Sequence, residues 1–391
     1  MARSAVAFWA LALLMITSCT ADNAIVAFVK QAQGRVREHG LPNQAAARVT
    51  YAGHTVLNLL FPWAFYKHDA ALKNFTADLT AEEKAAASKA GRDAGIRAVK
   101  DRLTDGFDVW AEFTPAPAGS VGEYQFTPNQ TYALVPQLAK ARTYFPPPNK
   151  TFEDSLLPHP ITSPEYTAEL EEIYRVGGKN STERSQYDTE TALFWDIPLN
   201  TSSVSGLFNT IAQTLLPANT SLYDTALLFA RLNVAGFDGV SGAWRVKYRA
   251  LSWRPVTAIR EGDGTSQNEE YVDPQWTPLL PTPPHPEYVA GHTATAAAQG
   301  AVLSNFLGTD NVKFTVASEV AGLSPRTYAS LSQASAGGLL GSALLAVEEA
   351  GDSRVLGGVH FRKAVEDGAT LGYQIGNNVY TAIANAKSLG I

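Results

Sequence analysis

Along most of the chain apolar residues recur three and four positions apart, while strict alternation of apolar and polar residues is scarce, so the pattern predicts an all-α fold. Thr80-Ala81-Glu82-Glu83 forms a capping-box start for an alanine-rich helix over 84–103, and Gly106 supplies its stop. The same spacing predicts helices over 164–176, 205–215, 221–253, 291–307, 328–349 and 362–386. Proline removes a backbone donor and restricts its predecessor, so 115–119, 146–148 and the long run 278–286 must be joints between helices. No internal repeat or heptad is present. The expected architecture is a helical bundle with a loop-rich N-terminal region.

Composition narrows the class without changing it. A chain of 391 residues that is 45% hydrophobic and 17% charged can bury a large core without covalent staples. The organisation expected is a signal peptide over 1–21, an N-terminal helical and loop region over 22–180, and a helical-bundle core over 181–391. Met1-Ala2-Arg3 followed by the apolar run 5–16 reads as a secretory leader, and the single cysteine, Cys19, would carry a lipid if the source were bacterial. No later stretch reaches the roughly 18 apolar residues of a membrane span. Asn74, Asn129, Asn149, Asn180, Asn200 and Asn219 each begin an Asn-x-Ser/Thr tripeptide, which in a secreted eukaryotic protein marks a glycan-bearing surface.

The formal net charge is −6, which excludes a general nucleic-acid binder with its broad basic face. Clustered cations in such a chain must serve a local purpose, and three clusters stand out. Lys247 and Arg254 are seven apart, which on one helix puts them on the same face about 10 Å apart along the axis, with Pro255 marking the helix end. Gly291-His292 stands where the proline-rich run turns into an alanine-rich helix, a position whose free N–H groups suit an anion. Arg354 and His360 are six apart, out of register on an unbroken helix, but Gly357-Gly358 between them permits a loop that turns both inward. Taken singly, each has an ordinary structural reading: a solvated basic edge, a satisfied histidine, a helix-to-helix turn. Together they supply the donors that hold a tetrahedral oxyanion and the imidazoles that move protons on it.

The order Lys-x6-Arg-Pro, then Gly-His at a helix start, then Ser353-Arg354-x3-Gly358-x-His360 resembles that of the vanadium-dependent haloperoxidases and the related type 2 phosphatidic acid phosphatases. Ala192-Leu193-Phe194-Trp195 is similar to a segment of secreted and bacterial members. The resemblance implies vanadate as cofactor, with Lys247, Arg254 and Arg354 as charged donors and Gly291 contributing a backbone N–H. It further implies His360 as axial ligand, His292 as acid/base, and His285 as a residue of bromide- rather than chloride-oxidising members. Hydrogen peroxide, a halide and an organic acceptor would be the reactants, with bromide or iodide favoured. Two positions depart from the pattern. Val289-Ala290 stands for the usual Pro-Ser, removing one hydroxyl donor, and Ala364 stands where an aspartate partner of the last histidine is expected, leaving Glu366 or Asp367 as substitutes. The rival readings are a soluble acid phosphatase with His360 as nucleophile, and a catalytically weakened secreted glycoprotein of the same fold; homo-oligomerisation is left open.

Overall fold

Alanine and glycine, rather than large side chains, decide how the central helices meet. In the computed structural model the described residues are 111–196, 203–331 and 345–388, with position 201 and scattered positions over 80–109. Among them the helices are α1 (Lys150–Ser155), α2 (Pro164–Gly177), α3 (Gln186–Phe194), α4 (Ser203–Leu215), α5 (Leu222–Ala250), α6 (Pro255–Glu261), α7 (Gly291–Leu307), α8 (Ala346–Leu356) and α9 (Arg362–Ser388). A two-stranded antiparallel ribbon, β1 (Phe314–Val316) and β2 (Arg326–Tyr328), sits between α7 and α8 and pairs Phe314 with Tyr328. Fold class and bundle architecture match the sequence expectation.

Helix α7 is buried along its first three turns and more, from Gly291 through Leu303 with only His292 partly open, which is why it shows no polar face. It packs against α5 on one side and α9 on the other. On α9, Gly368, Gly372 and Gly376 fall one turn apart, and a Cβ added to each would lie 2.8, 2.3 and 2.2 Å from the backbone oxygens of Ala290, Ala294 and Ala298. On α5, a Cβ at Gly239 would stand 3.0 Å from Ala298 Cβ. Small residues therefore let three backbones approach closely, and this seam fixes the start of α7 relative to the start of α9.

Several helix ends follow from local sequence. Ser163 caps α2 and Ser221 caps α5 by accepting a backbone N–H, and Ser185 with Asp188 makes a full capping box on α3. The capping box at Thr80 and Glu83 is present, but most of the helix expected over 84–103 lies outside the described residues, as do the leader, Asn74 and Asn200. All three proline-rich joints lie outside the α-helices.

Two helix expectations need correction. The stretch 221–253 does not continue to Trp253: α5 ends at Ala250, Leu251 takes a left-handed conformation (φ 49°), and Ser252 and Trp253 leave the helix. The edge residues pair with the N-terminal region, Tyr124 N–H donating to the Leu251 carbonyl (2.7 Å) and Trp253 N–H to that of Gly122 (3.1 Å), tertiary partners that outcompete another helical turn. The helix expected over 328–349 is replaced at its start by β2, whose Arg326 and Tyr328 are buried against Glu349, and α8 begins only at Ala346. Residues 332–344 lie outside the description. Among the described residues no helix is long and apolar enough to cross a membrane.

Candidate active site

Three loops and two helix starts converge at the end of the α5–α7–α9 core. Lys247 projects from the last turn of α5. Arg254 is not on that helix, as the spacing of seven implied; it is the N-cap residue of α6, extended at φ −87° and ψ 153° because Pro255 follows it. Both nevertheless reach the same segment. Lys247 Nζ donates to the carbonyls of Pro286 (2.9 Å) and Glu287 (2.6 Å), and Arg254 Nε donates to that of His285 (2.8 Å). The proline-rich run is thus a strap that both cations grip.

The third motif arrives from the far side. After α8 ends at Leu356, Gly358 turns with φ +76°, where an added Cβ would lie 2.3 Å from the Gly177 carbonyl oxygen, so the turn requires glycine on two counts. The turn folds Val359 and His360 back so that both N–H groups donate to the Arg354 carbonyl. Arg354 NH1 donates to the Trp195 carbonyl (3.2 Å), and its NH2 lies 3.6 Å from Asp196. Trp195 is held in turn by Glu349, a buried carboxylate that accepts from Trp195 Nε1, Arg326, Tyr328 and Tyr187. The Ala192–Trp195 segment therefore positions Arg354.

Arg254 NH1 lies 3.2 Å from His360 Nε2 and donates to the Val359 carbonyl at 2.6 Å, while its NH2 reaches His285 Nδ1 at 2.8 Å. His285 also lies against the Trp244 ring, centroids 4.6 Å apart. Gly291 opens α7, so its N–H has no intrahelical acceptor. A Cβ there would meet Trp244 at 2.9 Å, which makes packing on that ring the steric demand for glycine. His292 Nε2 is buried with no hydrogen-bond partner among the described residues.

The sequence reading missed Glu287. Neither expected substitute reaches His360: Asp367 accepts from the Tyr288 hydroxyl and pairs with Lys363, and Glu366 is exposed, because both sit a turn or more along α9, beyond the loop that carries the imidazole. Glu287 Oε1 instead accepts from His360 Nδ1 (2.8 Å) and from Phe361 N–H (3.0 Å). The signal was present in the sequence as a lone carboxylate inside the apolar, proline-rich segment between His285 and His292.

Burial controls the charges. Lys247 and Arg254 are 0% exposed, Glu287 1%, Arg354 and His360 2%. Burial pushes Lys247 well below its ordinary value, with Arg254 adding to the effect, and brings Arg254 down to about 10. Burial lifts Glu287 to about 7 against the pull of Lys247 and Arg254. His285, His292 and His360 are each held well below 6.5, first by burial and then by surrounding cations, so all three rings are neutral near neutral pH.

Among the described residues no carboxylate oxygen lies within 4.0 Å of Lys247 Nζ or of the Arg254 guanidinium. Buried charges are ordinarily paired, since an uncompensated one costs several kcal/mol. Two such cations, a third shared with the half-open Asp196, an unpartnered imidazole nitrogen and a helix start fit a small multivalent oxyanion as the missing counter-charge. No cluster of three or more histidine, cysteine or carboxylate groups able to hold a bare metal cation occurs among the described residues.

Comparison with known proteins agrees with this chemistry. Residues 227–387 match the family described as the VCPO second helical-bundle domain. The vanadium chloroperoxidase of Curvularia inaequalis is 29% identical over 163 residues, 34% of this chain, and the match spans about a quarter (26%) of that protein's length. Two bacterial enzymes share the fold. The first bacterial vanadium-dependent iodoperoxidase crystal structure superposes with a TM-score of 0.66 at 20% identity, over 93% of this chain and 96% of that one. An apo-type bacterial vanadium-dependent chloroperoxidase gives 0.63 at 18% identity, over 89% and 85%.

Proposed function

We propose that this chain, which carries the VCPO second helical-bundle domain over residues 227–387, is a vanadate-dependent haloperoxidase that oxidises bromide or iodide with hydrogen peroxide. The observation that carries the reading is the pair of buried cations, Lys247 and Arg254, with no carboxylate oxygen within 4.0 Å among the described residues, the nearby Glu287 being committed to His360. Vanadate held by these residues would supply a Lewis-acidic centre for the activation of peroxide.

The chain's own residues supply the rest. Lys247, Arg254 and Arg354 offset the negative charge of the anion, and the Gly291 N–H adds a neutral donor. His360 turns Nε2 toward Arg254 while Nδ1 is taken by Glu287, which supports Nε2 as the ligating nitrogen. His292, neutral and with Nε2 unpartnered, is suited to accept a proton from peroxide and return it to a leaving oxygen. The net reaction takes one halide, one hydrogen peroxide and one proton to hypohalous acid and water, and the oxidised halogen then attacks an electron-rich organic acceptor. His285, wedged between Trp244 and Arg254, is the residue proposed to favour bromide or iodide over chloride. Secretion is supported by the leader reading and by the exposure of Asn129, Asn149, Asn180 and Asn219.

The test is bromide- and iodide-dependent halogenation of monochlorodimedone before and after vanadate loading, beside hydrolysis of p-nitrophenyl phosphate. Vanadate-dependent halogenation supports the proposal; hydrolysis alone overturns it. One observation favours that second reading: Glu287 gives His360 the carboxylate partner that a phosphorylated histidine nucleophile requires and that Ala364 lacks.

A further inference from the structure

We infer that Glu287 is the positioning residue for His360, holding its imidazole in the tautomer with the proton on Nδ1 so that the Nε2 lone pair faces the anion pocket. The inference rests on the proposed vanadate reading and deepens it.

Two contacts on opposite edges of the ring require the same tautomer. On one edge Oε1 of Glu287 lies 2.8 Å from Nδ1 and already accepts from the Phe361 N–H at 3.0 Å, so this oxygen acts as an acceptor and Nδ1 is the donor. On the other, Arg254 NH1 lies 3.2 Å from Nε2, and a guanidinium has donors only, so Nε2 must be the acceptor. The backbone that carries this carboxylate is itself held at both ends: Glu287 N–H donates to the Ser252 carbonyl (3.0 Å), and the Glu287 main-chain carbonyl accepts from Lys247 Nζ (2.6 Å). One residue thereby fixes the position of the strap, a cation of the pocket and the orientation of the imidazole. The partner that the family pattern puts four residues after the histidine has moved in this chain to a position 73 residues before it. A carboxylate behind a ligating imidazole fixes the ring and raises its basicity, and losing such a partner typically lowers metal affinity about 10- to 100-fold.

Orthovanadate and inorganic phosphate separate this role from a merely structural one. Vanadium can accept the Nε2 lone pair, whereas phosphate oxygens find no donor there and are held by Lys247, Arg254, Arg354 and the Gly291 N–H. Calorimetric titration of the full chain with each anion should show Glu287→Gln weakening vanadate binding about tenfold or more while phosphate binding stays within about twofold, with Glu287→Asp recovering part of the loss. In a His360→Ala background, Glu287→Gln should cost vanadate nothing further. Nitrogen-15 imidazole spectra of the wild-type protein should report His360 protonated on Nδ1 without any anion, a readout that stands even if a variant fails to fold.

Equal losses for the two anions, no loss for vanadate, or an Nε2-protonated His360 in the wild type would each overturn the positioning role while leaving the cofactor reading intact. A wild-type protein that binds phosphate but not vanadate removes the cofactor reading and this inference with it.

Discussion

Replacing Gly372 by alanine tests the seam that brings the site together. The new Cβ would stand 2.3 Å from the Ala294 carbonyl oxygen and 2.8 Å from Ala297 Cβ, against ordinary contacts of about 3.4 Å or more, so α7 and α9 must part by about 1 Å. The obstacle is backbone, which cannot rotate aside. Overpacking costs about 1–3 kcal/mol, a clash with backbone belongs to the upper half of that range, and alanine returns about 0.8–1 kcal/mol of helix propensity, leaving a net loss of about 1–2 kcal/mol. At about 2–4 °C per kcal/mol for a domain of moderate size, the melting temperature followed by circular dichroism should fall by several degrees. Thr370→Ala, on the exposed face of the same helix, should leave it unchanged or slightly higher. Gly372→Ala combined with Gly376→Ala should cost less than the sum, because helices already parted accept the second methyl more easily. Vanadate affinity should fall as well, since α7 begins at Gly291 and α9 begins two residues after His360. A Gly372→Ala protein that melts at or above the wild-type temperature would refute the claim that these helices touch through backbone.

Other outcomes follow from the same physics. His360→Ala should lose retained vanadium after dialysis, measured by elemental analysis, while circular dichroism stays native. Lys247→Met leaves the buried Pro286 and Glu287 carbonyls without their donor, at about 1–3 kcal/mol each, so the anion-free protein should melt lower, while calorimetry shows weakened binding of both anions. Glu349→Ala leaves Arg326 buried without its partner and should cost about 3–5 kcal/mol by denaturant unfolding. Asp238, buried beneath the Tyr144 and Phe145 N–H groups, is raised by burial from 3.8 to about 7; the folded chain keeps its proton where the unfolded chain has lost it. Its stabilising contribution is therefore complete below about pH 4 and lost as pH rises through 7, so the stability difference between wild type and Asp238→Asn should shift against the wild type from pH 5 to pH 8 in parallel thermal melts.

What the sequence by itself determined was local. Helical spacing and proline joints depend on residues within a turn of one another, and they located α2, α4, α7 and α9 closely, with Gly291 as the first residue of α7. The order of the three motifs pointed to the chemistry, and the four-residue spacing of Gly368, Gly372 and Gly376 was there to be read as a close helix contact. Tertiary structure alone decided that α5 stops at Ala250, because Gly122 and Tyr124 of the N-terminal loop take the backbone bonds of Trp253 and Leu251. It likewise decided that Lys247 and Arg254 meet from two separate elements, and that Glu287 rather than Glu366 or Asp367 stands behind His360. A helix is closed by bonds four residues long, whereas a carboxylate 73 residues from its imidazole finds it only after the strap, the Gly358 turn and the glycine seam have packed.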